Sequence, residues 1–395
     1  MNKSKLGNTR TLAERGKRLI ESTHAHVREA YGTSIGRPAE EVVTPALLLE
    51  LPAAMRNIAK MAKAIEPMPS AIRPHIKVHK SPELARMQKD AGAKGVSVAT
   101  VWEAIVMAGA GLDDIFVVNT VAGSAQIRAL AELAIERRTL VAIDDIDNAR
   151  SISSAGLSAG SSIGVLIEVD TGMDRAGADT EFEAIALARE ASELPGLTLE
   201  GVTGYEGHCS LTPDKRKRAS KQRHAMEFLI EVADRLSAEV APMPIRSAGG
   251  TATWEWTAGF PGITEIQAGS YVLMDVFHGG LAPDFEEALR VATTVVSRPP
   301  GRVIIDAGSK SVAAPELVHI EGRSNLENLR FDEEHGVFTD GPDAPDIGEV
   351  LMVVPGYAPS TVNMFDAYHV VQDGEVVDIW PVVPRGPGNH GLART

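Results

Sequence analysis

Between residues 72 and 270 the chain alternates two textures. Short apolar, β-branched runs recur at 72–78, 95–100, 114–119, 140–144, 163–169, 199–205, 245–248 and 265–270. Alanine-rich stretches of helical period lie between them, as at 122–136 and 180–193. Continuous apolar runs bounded by polar turns are the pattern of strands buried on both faces. Eight such strands with crossover helices predict a (β/α)8 TIM-type barrel over 44–280, with a doubly wound open sheet as the alternative. Past about 290 the runs become short, valine-rich and broken by Gly and Pro, which predicts a C-terminal antiparallel β domain over 281–395. The run TPALLLEL (44–51) suits either domain. Residues 1–43 read as an N-terminal helical extension anchored by Leu12, Leu19 and Ile20, resting on the surface or on a partner subunit.

Composition narrows the function. A formal net charge of −14 over 395 residues repels polyanions, so neither a nucleic acid nor an anionic membrane is expected as partner. The single cysteine, Cys209, rules out an intrachain disulfide and points to a reducing compartment. The basic N-terminus lacks an apolar targeting core, and no run approaches the ~20 apolar residues of a membrane span. A soluble, cytoplasmic protein is expected.

Against that acidic background, RPHIKVHK (73–80) stands apart. Arg73, His75, Lys77 and His79 fall on one side of a two-residue period, with Ile76 and Val78 on the other. A solvated edge strand, a metal or phosphate patch, and a lysine kept for covalent chemistry all account for a basic face. On a strand, His75 and His79 would lie ~13 Å apart, too far for one ion. The C-terminal ends of barrel strands share one mouth. There Lys77, His75 and His79 would meet Asn119, Asp144, Asp170 to Arg175, Tyr205, His208, Ser247 to Thr251 and Gly269 to Tyr271. A lysine desolvated beside Arg73, His75 and His79 has its pKa lowered and its amine freed for Schiff-base chemistry.

Gly249, Gly250 and Thr251 in SAGGTAT, with Gly269, Ser270 and Tyr271 in EIQAGSYVLMD, offer N–H and hydroxyl groups to a phosphate after the last two strands. A covalent lysine opposite a phosphate site points to pyridoxal 5′-phosphate as cofactor. Arg175 in EVDTGMDRAG either stands beside a pyridine nitrogen, keeping it unprotonated, or pairs with Asp170 or Asp174.

These segments together resemble the fold-type III pyridoxal phosphate enzymes, in particular the D-threonine aldolase and D-serine dehydratase group. The likeness runs from about 44 to 386 and includes RPHIKVHKSPELARMQKDAGAKGVSVATVWEA, VDTGMDRAG, GYEGH, AGGTAT, EIQAGSYVLMD, IDAGSKSVA and VVPGYAPSTVN. It implies an alanine racemase-like barrel with Lys77 as the Schiff-base lysine. Arg175 and Tyr205 would line the ring beside His75, and Gly249, Gly250, Thr251, Gly269, Ser270 and Tyr271 would hold the phosphate. It also implies a homodimer whose β domain completes the neighbouring barrel's site, and a small amino acid as substrate.

One departure bears on mechanism. Metal-dependent members carry Pro-x-His-x-(Cys/Asp) before Thr-Val-Asn; here Tyr357 and Pro359 occupy the two ligand positions. Proline has no ligating side chain and neutral tyrosine serves a divalent ion poorly, so no metal is expected. Expelling hydroxide needs a Lewis acid or a good general acid, whereas retro-aldol cleavage needs only removal of the β-hydroxyl proton. His208 and Tyr357 are the candidate bases. The expectation is a metal-independent lyase that cleaves a D-configured β-hydroxy-α-amino acid. The alternatives are a racemase using Lys77 and Tyr357 as two bases, and a dehydratase. Tyr357 as a mere filler of metal space is the bland reading.

Overall fold

The computed structural model describes residues 11–323, 327–339 and 341–386. Residues 1–10 of the expected extension and 387–395 of the expected β domain lie outside them. The first nine strands are β1 (Ala46–Glu50), β2 (Ala71–Ile72), β3 (Val96–Val98), β4 (Asp114–Val117), β5 (Arg138–Ile143), β6 (Ile163–Glu168), β7 (Leu197–Thr203), β8 (Ile245–Ala248) and β9 (Glu265–Ile266). Strands β2 to β9 form one parallel sheet in the order β2-β9-β8-β7-β6-β5-β4-β3. Its two ends meet where His75 bridges Ser97, with the Ser97 N–H donating to Pro74 O at 2.9 Å. Each of the eight predicted runs contributes one strand of this parallel barrel.

Period-two alternation divides the barrel residues between two cores. Phe116, Leu140, Ala142, Leu166 and Ile245 pack together as a small core of their own. Their neighbours Ile115, Val117, Val141, Ile143, Val165 and Ile167 join the larger core that includes the helices.

The remaining strands are β10 (Leu289–Ser297), β11 (Arg302–Ile305), β12 (His319–Ile320), β13 (Arg330–Phe331), β14 (Gly336–Thr339), β15 (Val350–Val354), β16 (Ala367–Gln372) and β17 (Glu375–Pro381). They form a second sheet that also takes in β1. The run 44–51 is thus a strand of this sheet rather than of the barrel, antiparallel to β10 and parallel to β16. All other pairs in the sheet are antiparallel.

The helix Leu12–Tyr31 opens on a capping box between Thr11 and Glu14. It lies on its own chain, crossing the helix Val101–Gly109 at two glycines. A Cβ on Gly16 would stand 2.1 Å from Ile105 O, and one on Gly109 would stand 2.2 Å from Lys17 N. Among the described residues, no helix is long and apolar enough to cross a membrane.

Candidate active site

The stretch 73–80 is not one extended strand. Arg73 N still donates to Ile266 O at 2.9 Å and His75 N to Ala268 O at 3.4 Å, but Ile76–Val78 then form a single 3-10 turn. The basic residues therefore part company. Arg73 is wholly buried and ion-paired with Glu265 at 2.8 Å and Asp114 at 2.7 Å, the first residues of β9 and β4. It braces the end of the barrel where those strands begin, so it does not shape Lys77 as the sequence reading had it. His79 is buried; its Nε2 meets Gln88 at 3.2 Å and its Nδ1 accepts from Ser81 N at 3.0 Å. Burial brings its pKa down to about 4, so it is neutral.

Lys77 itself lies in the mouth. Burial lowers its pKa; the Glu103 carboxylate opposes that and the Arg175 guanidinium adds to it. The cation that acts on the lysine is Arg175, not Arg73. Its ammonium stands 5.8 Å from the centroid of the Tyr205 ring, and the Arg175 guanidinium stands 5.9 Å from the same centroid. Arg175 is free to lie there because Asp170 serves backbone instead. Asp170 accepts the N–H groups of Gly172, Met173 and Arg175 at 2.7–2.9 Å. Desolvation, then the charge of Glu206, pushes the Tyr205 phenol up to about 12.

Behind Tyr205 sits the glycine loop. A Cβ on Gly250 would meet the Tyr205 ring at 3.2 Å, and Gly249 has φ +84°. Their N–H groups are already engaged: Gly249 donates to Glu206 at 3.0 Å and Gly250 to Thr253 at 3.3 Å. Among the described residues no partner takes the N–H of Thr251 or Ala252, which leaves those for an anion. The Thr251 hydroxyl accepts from Tyr271 N at 3.1 Å and so ties this loop to the Gly269–Ser270 turn. The Tyr271 ring turns away into the core, where its hydroxyl accepts from Gln88 at 2.9 Å. Gly269 packs on His75, with room for no side chain: a Cβ would stand 2.5 Å from His75 O.

These residues fit a phosphorylated pyridine. His75 is buried beside Lys77, its Nε2 has no partner among the described residues, and burial with the Lys77 charge holds the ring neutral. One flat ring, one lowered-pKa amine and a pair of open N–H groups converge on the same mouth.

Tyr357 and Pro359 begin a short helix, Ala358–Val362, that packs on the Lys77 turn. A single chain thus brings its own β domain to its own lysine, whereas the resemblance placed that segment at a neighbour's barrel. The Tyr357 phenol is raised by burial and by the Asp275 charge. Tyrosine and proline are not a donor set for a divalent ion. Among the described residues no three His, Cys, Asp or Glu side chains are gathered for one. His208 lies beside the 170–175 loop. Its ring lies 3.0 Å from where a Gly172 Cβ would be, and it lines a cavity of about 280 Å³ with Thr171, Lys221, His224, Ala225 and Phe228.

Residues 49–276 match the alanine racemase N-terminal domain and residues 288–371 a putative serine dehydratase domain. A D-threonine aldolase of Arthrobacter sp. is 37% identical over 361 residues, covering 89% of this chain and 95% of that protein. The chain belongs to the fold-type III pyridoxal phosphate lyases. A 3-hydroxy-D-aspartate aldolase of Paracoccus denitrificans (strain Pd 1222) is 32% identical with the same coverage. The crystal structure of D-threonine aldolase from Filomicrobium marinum superposes with a TM-score of 0.86 at 32% identity, over 89% of this chain and 98% of that one.

Several groups of this lyase site were missed in the sequence. Glu206 is buried and receives Gly249 N, Thr253 Oγ1 and Thr257 Oγ1, so it organises the glycine loop. Glu168, at the end of β6, is raised to about 7 by burial and by Asp144, with its Oε2 unpartnered among the described residues. Asp275 and His278 sit against the Tyr357 segment, the His278 ring stacked on the phenol at 5.7 Å. Glu206 lay inside GYEGH and Asp275 ended SYVLMD, so an acid directly after a strand-end motif was the available signal.

Proposed function

We propose that the chain cleaves a D-configured β-hydroxy-α-amino acid into glycine and an aldehyde by a retro-aldol reaction that needs no metal. The observation that carries this reading is Tyr357 and Pro359 at the mouth of a lysine-bearing barrel, where the resemblance places metal ligands. The D-threonine and 3-hydroxy-D-aspartate aldolases support the substrate class.

Lys77 would hold the cofactor covalently, with Tyr205, His75 and Arg175 about the ring and the 249–252 and 269–270 loops at the phosphate. When bound, pyridoxal phosphate supplies the electron sink for the pair left on the α carbon. Lys77, whose burial favours the neutral amine, would take up an α proton as the amine and return it as the ammonium. Arg175 beside the ring nitrogen would temper the sink. The Tyr357 phenol, raised above its ordinary value, stays protonated at neutral pH and hydrogen-bonds the substrate oxygen.

A second reading follows from that same phenol. A protonated donor at the β-oxygen assists loss of hydroxide, and a D-threo-3-hydroxyaspartate dehydratase of Delftia sp. is 28% identical. The test is a panel of D- and L-β-hydroxy amino acids, run with and without a chelator and scored for aldehyde, keto acid and inversion. Aldehyde and glycine from D isomers, unaffected by chelation, is the expected result. Chelator-sensitive turnover restored by a divalent ion overturns metal independence. Keto acid establishes the dehydratase, and inversion without aldehyde establishes a racemase. Size-exclusion chromatography with light scattering tests the proposed homodimer.

A further inference from the structure

A protonated Tyr357 leaves the β-hydroxyl proton without an acceptor, and His208 faces the long helix Lys215–Glu239. The segment after the 270–272 turn supplies another group. Asp275 is wholly buried and caps the short helix Val276–Gly279 through His278 N at 2.7 Å. Its two oxygens also lie 2.8 and 3.0 Å from His278 Nδ1. A carboxylate only accepts, so Nδ1 carries the hydrogen, and in the neutral ring Nε2 carries the lone pair. Among the described residues nothing hydrogen-bonds to Nε2.

The ring is tied to the site through Tyr357. The His278 imidazole stacks on the Tyr357 phenol at 5.7 Å with a 24° interplanar angle, and Phe277 meets both edgewise. The backbone is clasped as well. Val276 and Phe277 donate to Pro355 O and Gly356 O at 3.2 Å, and Ala358 N donates to Asp275 Oδ2 at 2.7 Å. One carboxylate therefore orients the imidazole and fixes the strand end that presents Tyr357.

We propose that His278, oriented by Asp275, is the base that removes the β-hydroxyl proton, working beside the Tyr357 phenol where relatives place a metal. This rests on the retro-aldol reading. The substrate O–H bond breaks and its proton passes to Nε2. The carbon–oxygen double bond of the aldehyde forms as the Cα–Cβ bond breaks, leaving the electron pair on the α carbon. The α carbon then takes a proton from the Lys77 ammonium to give glycine, Lys77 recovers one from water, and His278 passes its proton to water. Positioned general bases contribute about 10²–10⁴-fold.

The holoenzyme with His278→Phe, which keeps an aromatic ring against Tyr357, tests the assignment beside Asp275→Asn. Aldehyde release from a cleaved D-β-hydroxy amino acid should fall at least about 10²-fold in kcat, with KM within about threefold. Exchange of the α proton of D-alanine in D2O, which has no β-hydroxyl to deprotonate, should stay within about threefold of wild type. Nitrogen-15 NMR of histidine-labelled protein should show His278 with hydrogen on Nδ1, and Asp275→Asn should disturb that tautomer. Cleavage retained by His278→Phe overturns the proposal, as does an equal loss of cleavage and exchange, which marks a structural role. Should wild type release no aldehyde from any substrate, the lyase reading falls and this assignment falls with it. If wild type cleaves and both variants cleave equally well, the assignment alone is lost.

Discussion

The Lys77 ammonium stands 5.8 Å from the centroid of the Tyr205 ring. A lysine on a 3-10 turn, with an aromatic wall facing it and the glycine loop behind that wall, suits the proposed attachment of a flat cofactor. Lys77→Ala should remove the visible absorption of the attached cofactor and lower turnover by more than about 10³-fold. Tyr205→Phe keeps the ring and should stay within about tenfold. The reverse order of severity, read from spectra and steady-state rates, would sink this arrangement.

Two charges act on Lys77 in opposite senses. Arg175 lowers its pKa and Glu103 raises it. Arg175→Gln should move cofactor attachment, trapped by borohydride reduction, to higher pH, because a like charge no longer disfavours the ammonium. Glu103→Gln should move it to lower pH while still accepting from Ala99 N, now 2.6 Å away. Movement of both variants in one direction would exclude Coulombic control of the lysine.

The barrel was legible because parallel strands buried on both faces advertise themselves as apolar runs, and the loops after them carried the site motifs. The stretch 73–80 misled. Arg73, His75, Lys77 and His79 alternate as on a strand, but the chain coils into a 3-10 turn at Ile76–Val78, and Arg73 and His79 answer to partners outside the stretch. Arg73 finds Glu265 and Asp114; His79 finds Gln88. Glu265 and Asp114 lie 192 and 41 residues from Arg73, and Gln88 lies on the following helix, so no pattern within the stretch announces them. Tyr271 was misplaced for the same reason, its hydroxyl meeting Gln88 in the core. The place of 44–51 depended on a pairing with β10 and β16 hundreds of residues away.

Glu168 predicts a pH-dependent stability. Its folded value of about 7 lies above the ordinary 4.5, so between those values the folded chain binds more protons than the unfolded one. Stability is full below the ordinary value and falls as pH rises through about 7. Glu168→Gln should therefore raise the melting temperature of the cofactor-free protein at pH ~8, by at most ~3 kcal/mol equivalent, and change little at pH ~4.5. Equal effects at both pH values would show that Glu168 is not held protonated.

The last prediction concerns the exchanged ligand positions. Pro359 sits in the first turn of its short helix, where a missing N–H costs nothing and other residues are equally at home. Tyr357 precedes it as the N-cap residue, with its backbone held through Ala358 N to Asp275. Replacing both side chains should leave that clasp intact. The double variant Tyr357→His, Pro359→Cys should then bind Zn²⁺ or another divalent ion stoichiometrically, by equilibrium dialysis, while the parent chain should bind about tenfold less tightly or weaker. Turnover of the variant should become chelator-sensitive, since the metal would take over polarisation of the substrate oxygen from the Tyr357 phenol. A variant that folds with an unchanged melting temperature but takes up no ion would mean that more than these two side chains separates this site from its metal-dependent relatives.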